Sequence, residues 1–188
     1  MSSFTAWIRL AGVAAAYAVS LVLYLRAAPG GWLSPWFVLV AMVCVLGLAF
    51  VAEPVVPLRL PAGWMRIRRW EAEGRLHRAL GVPAFGWLLR RTPLKWLNAQ
   101  VYWGRCGRDP AALLAKLEAA ETSHLLAGVL VAPYMVYALV QGAWTTVFWF
   151  FVAQLLANAY PIAHLRLARH RVQRIARRTI SSAARPTA

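Results

Sequence analysis

Acidic side chains are nearly absent from this chain: six Asp and Glu stand against 21 Lys and Arg in 188 residues, a net charge of +15. An acidic cation cage therefore has little material to draw on. Cysteine is as scarce. Cys44 lies in an apolar run and Cys106 in a basic stretch, with no CxxC spacing between them, so both read as free thiols rather than as a disulfide framework. Glu121-Thr-Ser-His124 has the Glu-x-x-His spacing of carboxylate-bridged dimetal sites. Such a site needs a second copy, and the chain has none, so no metal is expected. The positive charge comes without a recognition helix or zinc spacing, which argues against nucleic acid as a partner. Internal repeats and charges deep inside the apolar runs are also missing, and with them the usual marks of a small transporter.

What the chain does have is apolar surface. It is 61% hydrophobic, with ten Trp and seven Phe. Four stretches approach the ~20 residues that a bilayer crossing requires: residues 6–25, 32–52, 124–140 and 144–165. The first is interrupted only by Arg9 and reads as a signal-anchor, since a second span follows at once. Arg26-Ala-Ala-Pro-Gly-Gly31 and Gln141-Gly142-Ala143 are turns by their Pro and Gly content. The fold class expected is an all-α integral membrane protein, one domain over 1–188, with about four transmembrane helices and a long amphipathic, interfacial loop.

Charge sets the expected orientation. Residues 53–123 hold twelve of the 21 Lys and Arg, the tail 166–188 holds seven, and the two turns hold only Arg26. Cytoplasmic segments collect Lys and Arg, so the loop and both termini are expected to face the cytosol of a bacterial inner membrane. In the loop, Trp64, Trp70, Trp87, Trp96 and Trp103 alternate with Arg66, Arg68, Arg69, Arg90, Arg91 and Lys95. That mixture suits anionic headgroups at a membrane surface. An amphipathic helix is expected over 63–80, broken at Pro83 and Gly86. Asp109-Pro110 should open another helix that continues into the third span. Beyond Arg178 the tail should fray.

With so few acids, their positions carry information. Glu118, Glu121 and His124 follow one another at three-residue spacing where a helix meets the membrane. Residues three apart on a helix are neighbours, so a carboxylate could orient an imidazole acting as general base. The plainer alternative is an interfacial cap. Glu71 and Arg75, four apart, could be an ordinary helix pair. Asn158 lies within an apolar span, and Pro161 frees a backbone carbonyl that Asn158 or Tyr160 could satisfy. Arg166, Arg169 and Arg171 follow, and a positive-inside flank would explain them equally well.

In this order and spacing, these segments resemble the glycosyl-4,4′-diaponeurosporenoate acyltransferase family, membrane proteins of carotenoid glycoside synthesis. Glu71, Gly74 and Gly81-Val82 match its Glu-x-x-Gly and Gly-Val segment, with Trp87, Arg90 and Arg91 in the stretch that follows. His77 stands where Tyr is usual. Ala120, Glu121 and His124 match Ala-Glu-x-x-His, and Asn158, Tyr160, Pro161 and Ile162, with Arg166, Arg169 and Arg171, match the last segment. Leu165, Leu167 and Ala168 depart from it. The resemblance covers roughly residues 65–175. It implies transfer of a fatty acyl group to a sugar hydroxyl of a lipid-linked glycoside, with acyl-CoA or another acyl thioester as co-substrate and no bound cofactor. His124 and Glu121 would then be catalytic, and Glu71, Arg75, Asn158, Tyr160, Arg166 and Arg169 would bind substrate. The rival reading is a non-catalytic membrane subunit that binds lipid and docks a larger assembly.

Overall fold

The computed structural model describes residues 3–27, 30–52, 60–68, 71, 73–92 and 109–183. Trp96, Trp103, Lys95 and Cys106 lie outside them. Among the described residues the regular structure is entirely helical. The chain divides into two units: residues 1–59 with 122–159, and residues 60–121 with 160–188.

The first unit holds α1 (Ser3–Ala27), a 3-10 turn (Gly31–Leu33), α2 (Pro35–Ala52), the second half of α6 (Pro110–Val140), α7 (Trp144–Gln154) and a π turn (Leu155–Ala159). Three helical stretches are long and apolar enough to cross a membrane: Phe4–Ala27, Pro110–Val140 and Trp144–Ala176. The expected span over 32–52 is shorter than anticipated. Gly30 takes a left-handed φ of 84° and Ser34 is extended, so α2 starts only at Pro35 and has 18 residues. At ~1.5 Å per residue that is roughly 27 Å, just under the ~30 Å of a hydrocarbon core.

Packing in this unit is apolar outside and partly polar inside. Phe4, Trp7, Ile8, Val22, Leu23, Val129, Leu130, Val136, Val140, Phe148 and Phe151 all point outward, whereas Ser34, Thr146 and Asn158 are buried. Val38, Met42, Val131, Phe150 and Ala153 form the packed centre. The 3-10 turn is pinned from several sides. The Tyr134 hydroxyl donates to the Trp32 carbonyl, the Thr146 hydroxyl donates to the Leu33 carbonyl, and Tyr24 donates to the Ser34 hydroxyl at 3.1 Å.

The second unit holds α3 (Ala62–Met65), α4 (Arg75–Ala79), α5 (Val82–Arg91), the first half of α6, and α8 (Tyr160–Ala183). Leu113, Leu117, Leu165 and Val172 join α6 to α8. Three expectations are corrected in this unit. Residues 63–80 are not one helix: α3 stops at Met65, Arg66 is extended, and Gly74 takes φ 67° before α4 begins. Conversely, α5 runs through Pro83 and Gly86. Pro83 sits in the first turn, where no backbone donor is needed. The tail does not fray at Arg178, because α8 continues to Ala183. Asp109-Pro110 opens α6 as expected, with the Asp109 carboxylate accepting from the Ala111 N–H at 2.9 Å.

Gly86 is required by a close approach. A Cβ there would stand 2.4 Å from His164 Cε1 and 2.7 Å from its Nδ1. His164 also packs edge-on against Phe85, whose ring lies 5.4 Å from that of Tyr160. Gly86→Ala should therefore destabilise the chain by about 1–3 kcal/mol through overpacking. Adding His164→Ala should recover most of that loss in detergent-solubilised thermal unfolding. No recovery in the double variant would mean that the imidazole is not what excludes a side chain at Gly86.

Candidate active site: a buried carboxylate–guanidinium cluster

In the second unit, α8 presents Arg166 and Arg169 three residues apart on one face. Both are buried, Arg169 completely. A guanidinium out of water needs compensating charge and acceptors for its five N–H groups. Glu71 and Glu121, 7% and 0% exposed, supply the charge. Arg166 grips Glu71 with two atoms: its Nε lies 2.8 Å from Oε1 and its Nη2 donates to Oε2 at 3.1 Å. The Nε approach is close but out of hydrogen-bonding alignment. Arg166 Nη1 donates to Glu121 Oε1 at 2.8 Å. Arg169 Nη2 stands 3.2 Å from Glu121 Oε2, and its Nη1 is 3.6 Å from the half-exposed Glu118.

Backbone acceptors complete the cluster. Trp64 and Arg66 offer their carbonyls to Arg166, both at 3.2 Å, and Met65 offers its carbonyl to Arg169 at 2.8 Å. Arg169 Nη1 also lies 3.0 Å from the Met65 sulfur. Glu71 accepts the Arg68 N–H at 2.7 Å as well. Three successive carbonyls at the end of α3 and just past it, those of Trp64, Met65 and Arg66, thus accept from guanidiniums.

An ordinary helix pair of Glu71 with Arg75 was one reading of their spacing. Gly74 breaks the helix between them, Arg75 is exposed, and the partner of Glu71 is Arg166, 95 residues further on. The Tyr160 hydroxyl donates to the Leu80 carbonyl at 2.9 Å. Trp64 and Met65 are cluster members that residue type alone could not reveal, because they contribute mainly backbone oxygens.

His124 and Asn158 belong to the first unit. The imidazole faces the Asn158 side chain and the Ala157 carbonyl, and its Nδ1 is buried without a partner. Ala157 is four residues before Pro161, which has no N–H to return to it. The π turn over Leu155–Ala159 absorbs this break in the ladder. The Asn158 amide also lies 2.5 Å from Gln154 Oε1, and Gln154 donates to the Gly128 carbonyl at 2.9 Å. Glu121 and His124 are thus three residues apart on α6 but fall in different units. The partners of Glu121 are arginines of its own unit, and those of His124 are residues of its own.

Apolar helices of membrane-crossing length and a buried polar cluster on a basic helical unit define an all-helical protein of the kind that can cross a membrane. The family follows from the sequence that builds this arrangement. Residues 61–178 match the model of glycosyl-4,4′-diaponeurosporenoate acyltransferase, and the chain belongs to that family. No curated protein and no solved structure matches it. The family name is that of an acyltransferase acting on a carotenoid glycoside.

The cluster makes a quantitative demand. Removing one partner of a buried ion pair costs about 3–5 kcal/mol, because the other is left uncompensated. Arg166→Met should lower unfolding stability by that order. Combined with Glu71→Gln it should cost less than the two single changes added together, with a coupling of about 0.5–3 kcal/mol. Strict additivity in denaturant unfolding would show that the two side chains do not interact.

Proposed function

We propose that the chain transfers a fatty acyl group from an acyl thioester, of the acyl-CoA kind, to a sugar hydroxyl of a lipid-linked carotenoid-type glycoside. The observation that carries this is the family match over residues 61–178. The apolar exteriors of α1, α6 and α7 support a setting in the bacterial inner membrane, among anionic headgroups, where acyl chain and acceptor can both stay in lipid. In this reading α2 is a fourth crossing, and both termini lie with residues 53–123 on the cytoplasmic side, as the Lys and Arg distribution favours.

His124 is the general base. It takes the proton of the attacking hydroxyl as that oxygen adds to the thioester carbonyl. The carbon–sulfur bond then breaks, and the imidazolium returns the proton to the departing thiolate, leaving an O-acyl ester and a free thiol. The Asn158 amide, beside His124, is the candidate donor to the developing oxyanion. Glu71, Glu121, Arg166 and Arg169 serve as positioning residues, since their charges are spent on one another. Tyr160 supports the same unit through Leu80. That mutual neutralisation also favours a second reading, a non-catalytic membrane subunit.

Mass spectrometry of membrane lipids separates the two. Cells that make the glycoside and carry the chain should accumulate a species heavier by one acyl group, and His124→Ala should abolish it with the protein still inserted. An unchanged lipid profile in the presence of the wild-type chain would favour the membrane subunit. Full acylation by His124→Ala would remove the proposed base.

A further inference from the structure

The second unit carries a cavity of about 410 Å³, within the size range of small-molecule sites. Arg171 and Arg174 line it from α8, Arg78 lines it from α4, and His170, Glu73 and Leu167 are among the other residues of the wall. The three arginines are exposed, and none takes part in the ion pairs found among the described residues. The contrast with Arg166 and Arg169 on the same helix is chemical. Those two are neutralised by buried carboxylates, whereas here three guanidiniums face one carboxylate across an open space. Guanidinium forks match phosphate oxygens with paired N–H donors, and Arg is favoured wherever such bidentate recognition is needed. A positive-inside flank would account for basic residues scattered along a tail. It does not account for bases from two helices converging on one cavity.

We propose that this cavity binds the phosphate groups of the acyl donor, a coenzyme A-type thioester carrying a diphosphate and a phosphate monoester. The inference rests on the acyl-transfer reading above and gives that reading a donor subsite. Arg171 and Arg174 hold phosphate from one side and Arg78 from the other. Phosphate chemistry is shared with anionic lipid headgroups, so the source of the phosphate must be part of the test.

The full chain in phosphatidylcholine nanodiscs would be titrated calorimetrically with coenzyme A, with no acceptor present. Saturable binding is expected, displaced by inorganic diphosphate. Arg171→Gln with Arg174→Gln should weaken it by about 10- to 100-fold, the worth of charged hydrogen bonds. Arg78→Gln, on a separate helix, should weaken it as well, with the melting temperature of each variant recorded to exclude unfolding. Nanodiscs doped with phosphatidylglycerol should bind coenzyme A undiminished. No binding in the neutral discs, equal binding by folded variants, or displacement of coenzyme A by phosphatidylglycerol would each overturn the donor subsite, the last in favour of a lipid-headgroup site. Binding that follows the arginines in a chain that acylates no glycoside would instead leave the cavity standing and overturn the acyl-transfer reading.

Discussion

Two guanidiniums buried on α8 constrain nearly everything around them in the second unit. Burying Arg166 and Arg169 has a desolvation cost of several kcal/mol each, recovered only with close counter-charges and filled hydrogen-bonding positions. The chain has six acidic residues in all, and two of them, Glu71 and Glu121, pair with these arginines. The buried Nε of Arg169 has no hydrogen-bond partner, while further donors are met by the carbonyls of Trp64, Met65 and Arg66. A regular helix through those positions would have withheld them. The departure from helix at residues 66–68 goes with these contacts, and Glu71 meets a helix about ninety residues later in the chain.

The first unit solves a different problem with the same economy of polar groups. Its outward surface is Phe, Trp, Val and Leu, and its polar side chains turn inward onto backbone carbonyls that regular helix bonding leaves open. Tyr134 and Thr146 serve the carbonyls of the 3-10 turn. His124 and Asn158 meet at the π turn, where Pro161 removes a donor. In an apolar medium, irregular backbone is tolerated where it is enclosed by protein and re-satisfied in this way. The residues nearest the proposed chemistry thus occupy a place where the helix is already interrupted, as π turns at functional sites often are.

The apolar runs were legible because length and composition alone specify a helix that can cross a bilayer. The start of α6 was legible from Asp109-Pro110, a local signal. The ordered motif residues Glu71, Glu121, Arg166 and Arg169 were also visible, but their partners were not. Spacing along the chain suggested Glu71 with Arg75 and Glu121 with His124, since helical neighbours are all that spacing can report. The actual partners of Glu71 and Glu121 are brought by tertiary packing from 95 and 45 residues away. Gly86 looked like an interruption because glycine disfavours helix. It is kept inside α5 by the imidazole of His164, a contact with no local signature.

Glu121 is the residue at which the architectural and the catalytic roles part most cleanly. Glu121→Gln keeps the size and some hydrogen bonding but takes one negative charge from two buried guanidiniums. Unfolding and acyl transfer would be measured on the same purified sample. The buried cluster requires a clear fall in unfolding stability, on the order of 3 kcal/mol, with activity lost alongside it. An unchanged unfolding midpoint with turnover abolished would contradict this, and would make the carboxylate a direct partner of His124.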